Sequence, residues 1–177
     1  MKAIFLAAAV FASGAAHAAP PVNRSADPPL TVTPIEINRY AGLWYEIARF
    51  ENGFEKNCTD VTARYTLRKD GKVDVLNTCH KAPQGKARTA RGVAHIVEPA
   101  TNAKLKVSFF WPFEGDYWVL DRAEDYSWAL VGEPGGRYLW ILSRRPKIDA
   151  GLKADLVGRL KARGYNTEAL HWTAQQG

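Results

Sequence analysis

The sequence predicts an all-β domain of eight short antiparallel strands, followed by one α-helix and a short ninth strand. Before Pro146, segments of alternating apolar and polar residues recur with short connections rich in Gly, Pro, Asn and Asp, which is typical of a barrel or a sandwich. After Pro146, Leu152, Leu156 and Leu160 recur every four residues, the period of an amphipathic helix. From this local pattern alone, a closed barrel and a β-sandwich without a cavity fit equally well.

The first strand is dominated by aromatic and β-branched residues, and the turn formers Asn38 and Gly42 precede them. The predicted strands cover residues 42–50, 58–68, 72–80, 88–98, 104–110, 117–121, 126–132 and 137–144, with a final short strand at 169–172. Asp149 is an N-cap residue type for the helix, and Gly164 suits the position just past its end. Because the apolar stripe of this helix is narrow, we expect it to pack on the outside of the sheet.

The chain of 177 residues is long enough for one domain with a leader. Residues 1–18 have the pattern of a secretory signal peptide: a basic start, an apolar segment too short to span a bilayer, and a small-residue cleavage site ending at Ala18. Residues 19–33, rich in Pro, Ser, Asn and Asp, are predicted to be a flexible arm. Residues 34–177 are predicted to form the folded domain, and its six Trp suit a large apolar interior.

The formal net charge of +6 is spread along the chain without a basic run or a nucleic-acid motif. Nucleic acid is therefore not expected as a partner. A weak attraction to an anionic membrane surface is the modest functional consequence of this charge. The oligomeric state is left open.

Cys58 and Cys79 are expected to form one disulfide, because the predicted leader sends the chain to an oxidising compartment. A loop of about twenty residues closed in this way contributes roughly 3 kcal/mol in the chain-entropy model. The alternatives are a metal pair or a reactive thiol, but there is no CxxC spacing, and only His80 lies close in sequence. No metal site is therefore predicted.

The disulfide conflicts with a two-residue turn at Asp70 and Gly71, which would not place the two cysteines opposite each other. Three explanations remain open: a longer turn centred nearer Lys69, a bulge, or a diagonal contact of the two sulfurs. We expect the turn, rather than the disulfide, to be wrong.

Three blocks of the sequence resemble the lipocalin family: residues 38–49, residues 117–121 with Tyr126, and residues 138–144. Likeness is greatest to the bacterial outer-membrane lipocalins, which also show stretches like residues 106–110 and 172–176. The resemblance runs from about Thr33 to Gln176 and implies an eight-stranded up-and-down β-barrel. Many of those bacterial proteins carry a lipid-modified cysteine right after the leader, whereas the first cysteine here is Cys58. We therefore expect a soluble periplasmic protein, with association to the outer membrane left open.

The resemblance also implies that Trp44 and Arg144 meet at the closed end of the barrel, where the guanidinium lies over the indole. A desolvated pair of this kind contributes on the order of 2 kcal/mol. Strand alternation then turns one face of each strand inward. By this parity Glu46, Ala48 and Phe50 face the interior with Trp44. Arg144, a Tyr hydroxyl or a ligand headgroup is expected to meet the buried Glu46 carboxylate.

Parity, together with a loop expected to lie over the barrel mouth, identifies a candidate ligand site that is mostly apolar with a few hydroxyls and one amide. Such a lining suits a long hydrophobic chain with a small polar end. The predicted ligand-binding residues are Phe54, Val61, Tyr65, Val75, Asn77, Leu105, Val107, Phe109, Tyr117, Val119, Tyr138 and Trp140.

No catalytic motif of the serine hydrolase, zinc protease or P-loop type occurs, and His80, His95 and His171 lie on separate predicted elements. The sequence therefore predicts a binding protein rather than an enzyme, without a cofactor. The ligands that the resemblance implies are fatty acids, lysophospholipids or related membrane lipids. Two rival hypotheses are a lipocalin-fold enzyme acting on a hydrophobic substrate and a carrier of haem or another pigment.

Overall fold

Nine strands and two α-helices form the part of the chain that the computed structural model describes, residues 21–81 and 85–176. The predicted signal peptide, residues 1–18, lies outside these residues. The elements are α1 (Ile37–Tyr40), β1 (Gly42–Phe50), β2 (Cys58–Leu67), β3 (Val73–Lys81), β4 (Ala87–Ile96), β5 (Lys104–Phe110), β6 (Phe113–Arg122), β7 (Trp128–Gly132), β8 (Leu139–Ser143), α2 (Ala150–Ala162), a 3-10 turn (Thr167–Ala169) and β9 (Leu170–Trp172).

Strands β1 to β8 close into an antiparallel up-and-down barrel. Each strand from β2 to β7 pairs with the next strand in the chain, and β1 pairs with both β8 and β2. Closure satisfies the edges that a sandwich would leave unpaired, so the barrel is confirmed over the sandwich. The first half of β1 pairs with β2, and its last three residues, 48–50, pair with β9 instead.

The largest difference from the predicted strands is at β6, which begins at Phe113 rather than Tyr117. Residues 114–116 look like a polar connection, yet Asp116 lies opposite Lys106 of β5, and its Oδ1 is 3.2 Å from the Lys106 Nζ. Solvent-exposed strand segments of this kind lack alternating apolar residues, so the sequence pattern does not predict them as strands.

The hairpin between β2 and β3 turns through the three residues Lys69, Asp70 and Gly71. The N–H of Arg68 donates to the carbonyl of Lys72 at 2.8 Å, and Gly71 adopts a φ of +80°, which glycine reaches without strain. The two-residue turn considered for the sequence is therefore wrong, as expected.

The disulfide between Cys58 and Cys79 is present, with Cα atoms 5.4 Å apart. Cys58 lies opposite Lys81 rather than Cys79, and the register shifts between Thr59 and Thr62. The two sulfurs therefore meet diagonally next to a bulge, so the longer turn, the bulge and the diagonal contact all contribute.

Strand β1 changes face because of a register shift between Glu46 and Ala48. An extra residue on one strand reverses the alternation beyond it. Ala48 and Phe50 consequently pack into the core outside the barrel, not into the interior as predicted. Arg49 is fully buried instead, and its guanidinium reaches Glu46.

Helix α2 covers the outside of the barrel wall, as predicted. The carboxylate of Asp149 caps its first turn by accepting from the N–H of Leu152 at 2.8 Å, and Gly164 adopts a φ of +81° just past its end. Leu156 and Leu160 are fully buried in an apolar cluster with side chains of β1, β6, β7 and β8.

The segment before α1, predicted to be flexible, is hydrogen-bonded to the domain where the structure describes it, from residue 21 onward. The N–H of Asn23 donates to the Gly136 carbonyl at 2.9 Å, and Arg24 forms an isolated bridge with Tyr165. Further along, the Thr33 N–H donates to the Val119 carbonyl at 3.0 Å. These bonds tether the segment along the outer wall.

Candidate ligand cavity

One end of the barrel is sealed by Trp44 and Arg144. The guanidinium carbon of Arg144 lies 3.7 Å from the centroid of the Trp44 ring, and the indole is fully buried. Arg144 also donates to the carbonyls of Leu43 at 2.7 Å and Ala41 at 2.9 Å, and the Trp44 Nε1 donates to the Tyr40 carbonyl at 2.8 Å. The predicted pair thus joins α1, β1 and the end of β8.

Above this seal the barrel contains a cavity of about 530 Å³ that opens at the other end. Ligand pockets in proteins are typically about 300–1,000 Å³. Eleven of the twelve residues predicted for the ligand site line this cavity, and contact with a ligand stays a prediction for them: Phe54, Val61, Tyr65, Val75, Asn77, Leu105, Val107, Phe109, Tyr117, Tyr138 and Trp140.

Val119 is the exception among the predicted residues. It is fully buried in the interior core rather than exposed at the cavity wall. Strand alternation correctly predicts that Val119 faces the barrel interior. It cannot predict where along the barrel axis the packed core ends and the cavity begins.

Sequence reasoning missed several lining residues, and two structural reasons account for part of them. Tyr40 and Ile37 belong to α1, which lies outside every predicted strand. Phe113 and Asp116 belong to the wet start of β6, which was treated as a connection. The missed residues are Ile37, Tyr40, Glu46, Glu55, Thr62, Ala63, Val73, Ala94, Phe110, Phe113, Glu114, Gly115, Asp116, Glu133 and Leu142, of which Glu46 had been placed inward without being assigned to the site.

Three tyrosine hydroxyls meet on the lining of the cavity. The Tyr117 hydroxyl lies 2.6 Å from that of Tyr40 and 2.9 Å from that of Tyr65. Burial raises the pKa of each of these tyrosines above its usual value, so all three are neutral. Two hydrogen bonds use two of the three hydroxyl protons, which leaves one O–H able to donate to a ligand oxygen.

A buried charged cluster lies in the wall where β1 passes behind the cavity. The Nη1 of Arg49 donates to Glu46 Oε1 at 2.8 Å, and the Thr173 hydroxyl donates to the same carboxylate. Glu46 therefore finds its partner in Arg49, not in Arg144 or a Tyr hydroxyl as predicted, and the β1 bulge is the reason. Burial, together with the nearby Glu55 carboxylate, raises the pKa of Glu46 to about 8.

An aromatic stack forms another part of the wall, near the open end. The rings of Phe54 and Tyr138 are stacked with centroids 5.8 Å apart, and Tyr138 stacks on Trp140 at 5.9 Å. The Trp140 Nε1 donates to Glu55 Oε2 at 3.1 Å, which joins the stack to the charged cluster. The loop between β1 and β2 is therefore held over the cavity by both apolar and polar contacts.

The charge of the lining has a single sign. Every charged side chain among the described residues that line the cavity is a carboxylate: Glu46, Glu55, Glu114, Asp116 and Glu133. Three of them have cationic partners outside the lining, since Arg49 lies beside both Glu46 and Glu55, and Lys106 lies beside Asp116. A ligand group that reaches Glu114 or Glu133 therefore meets negative charge from the wall itself, whereas Glu46, with its pKa raised to about 8, is protonated at neutral pH.

Both cysteines of the chain are in the disulfide, so there is no free thiol. Within residues 21–81 and 85–176, no group of three or more His, Cys, Asp or Glu side chains is arranged to hold a metal ion. In the same part of the chain, no helix is long and apolar enough to cross a membrane.

Comparison with known proteins agrees with this architecture. Residues 35–175 match the model of the lipocalin-like domain. The chain is 43% identical over 147 residues to the outer membrane lipoprotein Blc of Vibrio cholerae, covering 82% of this chain and 85% of that protein. It is 40% identical over 156 residues to Blc of Escherichia coli K12, covering 86% of this chain and 88% of that protein.

Solved structures share the fold at lower sequence identity. Insecticyanin of the tobacco hornworm Manduca sexta superposes with a TM-score of 0.65 at 20% identity, covering 88% of this chain and 85% of that one. At this identity the likeness concerns the fold alone. The family match over residues 35–175 and the two bacterial relatives show that this chain belongs to the lipocalin family.

Proposed function

We propose that this lipocalin binds one single-chain membrane lipid in its barrel and carries or stores it in the cell envelope. The observation that carries the proposal is the cavity of about 530 Å³, closed at one end by the Trp44–Arg144 pair and lined mostly by apolar side chains. An acyl chain of about 14 methylenes buried there gains about 11 kcal/mol gross, at roughly 0.8 kcal/mol each. Ordering costs of several kcal/mol leave micromolar affinity or somewhat better.

The lining favours a lipid with a neutral or zwitterionic headgroup over a free fatty acid. An ionised fatty acid would bring its carboxylate among side chains that are themselves carboxylates, and like charges at close range are unfavourable. A lysophospholipid with an ammonium group instead offers a positive charge to Glu114 or Glu133 near the mouth, and its ester oxygens can accept from the tyrosine cluster. Lysophospholipids are therefore the proposed ligand class.

A displacement titration tests the ligand and its class together. A fluorescent fatty-chain probe is bound first and then displaced by lysophosphatidylcholine or by a fatty acid of equal chain length. We expect the lysophospholipid to compete better, and the preference to shrink at high salt because charge repulsion is screened. Failure of both lipids to displace the probe, together with no lipid in organic extracts of protein purified from its native compartment, would contradict the proposal.

Trp140 offers a matched pair of variants for this assay. Trp140→Ala removes a ring that lines the cavity, and we expect roughly tenfold weaker binding, from the loss of about 1.4 kcal/mol of apolar contact. Trp172→Ala removes a ring on the outer wall, under the Lys153 ammonium at 3.6 Å, and should leave the affinity unchanged. Equal effects of the two variants on the affinity would show that the lipid does not bind inside the cavity.

The proposed location is the cell envelope, supported by the signal-peptide pattern of residues 1–18 and by two relatives named as outer membrane lipoproteins. Carriage rather than catalysis is supported by the disulfide, which removes the only two thiols of the chain as nucleophiles. A coloured protein after purification would favour the pigment-carrier hypothesis instead.

A further inference from the structure

The open end of the barrel carries an exposed aromatic tip formed by Phe110, Trp111 and Phe113. Their exposed fractions are 80%, 90% and 77%, and the tip is the turn between β5 and β6, where Phe110 lies opposite Phe113. Isolated exposed apolar residues are normal on soluble proteins, but a contiguous aromatic group marks an interaction surface.

The distribution of exposed apolar side chains is uneven between the two ends. Because consecutive strands run up and down, the connections β1–β2, β3–β4, β5–β6 and β7–β8 all lie at the open end. Phe54, in the first of these connections, is 61% exposed. Four of the six large apolar side chains that are exposed in residues 21–81 and 85–176 therefore lie around the cavity mouth.

Basic side chains lie on the same rim as the aromatic tip. Lys81 ends β3, Lys86 precedes β4, and Arg88 follows at the start of β4, which is two strands away from β6 in the sheet. The Lys81 ammonium also donates to the backbone carbonyl of Lys56 in the β1–β2 loop. Lys56 therefore adds a further cation to this side of the rim. The rim thus combines aromatic rings with positive charge, and the carboxylates of Glu114 and Glu133 line the cavity mouth inside it.

We infer that this rim docks the protein on the surface of an anionic lipid bilayer, with the aromatic tip inserted at the level of the headgroups. Trp is favoured at this depth because its ring is apolar while its N–H bonds to polar groups. Lys and Arg beside it gain from the negative potential of the lipid surface. A second copy of this chain fits less well, because it would bring the same positive charges to the contact.

Docking in this orientation points the cavity mouth at the membrane. Phe110 and Phe113 line the cavity and are also exposed on the rim, so an apolar path is continuous from the outer surface into the barrel. A lipid could therefore pass between bilayer and cavity with little exposure of its chain to water. The inference concerns the outer rim and holds whether or not the proposed ligand is correct.

Vesicle flotation with the purified protein tests docking directly. The vesicles contain phosphatidylcholine alone or phosphatidylcholine mixed with phosphatidylglycerol. We expect binding to the mixed vesicles, weaker binding to the neutral ones, and a decrease at high salt because the charges are screened. Brominated lipid should quench the Trp111 emission, and Trp111→Phe should lose this quenching while keeping the binding.

Trp111→Ser is the decisive variant, because Trp111 is exposed and does not line the cavity. We expect roughly tenfold weaker vesicle binding, as for the loss of one buried aromatic contact, with unchanged lipid affinity in the displacement assay. Val97→Thr, which alters an exposed apolar residue beyond the other end of β4, should change neither. Lys86→Gln with Arg88→Gln should weaken binding to the anionic vesicles only.

Three results would overturn the inference. The first is absence of vesicle binding by the unmodified protein, and the second is unchanged binding of Trp111→Ser. The third is a concentration-dependent dimer, seen by sedimentation, that Trp111→Ser abolishes, since this would assign the tip to a second copy of the chain. If the protein fails to bind vesicles but lipids still displace the probe, the inference fails and the lipid-carrier proposal holds. If the protein binds vesicles but no lipid displaces the probe, the docking inference holds and the lipid-carrier proposal fails.

Discussion

The two ends of the barrel use similar residues for opposite purposes. At the closed end, Trp44 is fully buried under Arg144, and the guanidinium is satisfied by backbone carbonyls. At the open end, Trp111 is 90% exposed, and the rings of Phe110 and Phe113 beside it border the cavity. The closed end of the barrel therefore stabilises the fold, whereas the open end is available for binding. Changes at the closed end should lower the free energy of unfolding, and changes at the open end should alter what the protein binds.

Trp44→Ala should have the largest effect on stability. Replacing a fully buried Trp by Ala typically costs about 3–5 kcal/mol, and this change also removes the surface on which Arg144 lies. We expect a decrease of about 4 kcal/mol in the free energy of unfolding, measured by urea titration followed by far-ultraviolet circular dichroism.

Trp111→Ala is the matched control, since it makes the same chemical change at the other end. Its expected effect on the unfolding free energy is within about 0.5 kcal/mol, as for exposed positions in general. Similar losses for the two variants would remove the distinction between a stabilising end and a binding end.

The paired change Cys58→Ala and Cys79→Ala should have the next largest effect. The disulfide spans a sequence separation of 21, and the chain-entropy model assigns about 3 kcal/mol to a loop of that size. Urea unfolding of the wild-type protein under reducing conditions should show a similar loss. A loss below about 1 kcal/mol in both experiments would mean that the unfolded chain gains little freedom when the link is absent.

Glu46→Gln should change the pH dependence of stability in the wall behind the cavity. Burial and the Glu55 carboxylate raise the pKa of Glu46 from 4.5 to about 8 in the folded protein. The folded chain therefore holds a proton that the unfolded chain has lost between these pH values. This contribution to stability is complete below about pH 4.5, shrinks as pH rises, and is lost above about pH 8, with a slope of at most about 1.4 kcal/mol per pH unit.

The measurement compares urea unfolding of the wild-type protein and Glu46→Gln from pH 5 to about 9. The stability of the wild type relative to the variant should fall as pH rises to about 8 and then level off. A difference that is constant, or that grows with pH, would show that Glu46 is ionised beside Arg49 across this range.

Several features of the cavity could be predicted because strand alternation is a local property. Leu105, Val107 and Phe109 alternate with polar neighbours, and all three line the cavity. The prediction failed for Ala48 and Phe50, because a bulge in β1 reverses the faces without any mark in the residues themselves. It was incomplete at Glu114 and Asp116, where a strand exposed above the rim has no apolar pattern.

The strands and the helix on the wall could be inferred from residue periodicity. The closed up-and-down barrel and the pairing of Trp44 with Arg144 were implied by the resemblance to the lipocalin family, which short motifs carry. Three features could not be inferred from the sequence: the height of the packed core below the cavity, the Arg49–Glu46 contact, and the single charge sign of the lining. Each of these depends on how distant strands are staggered when the barrel closes, and that stagger brings together side chains such as Glu46 and Thr173, which are 127 residues apart in the sequence.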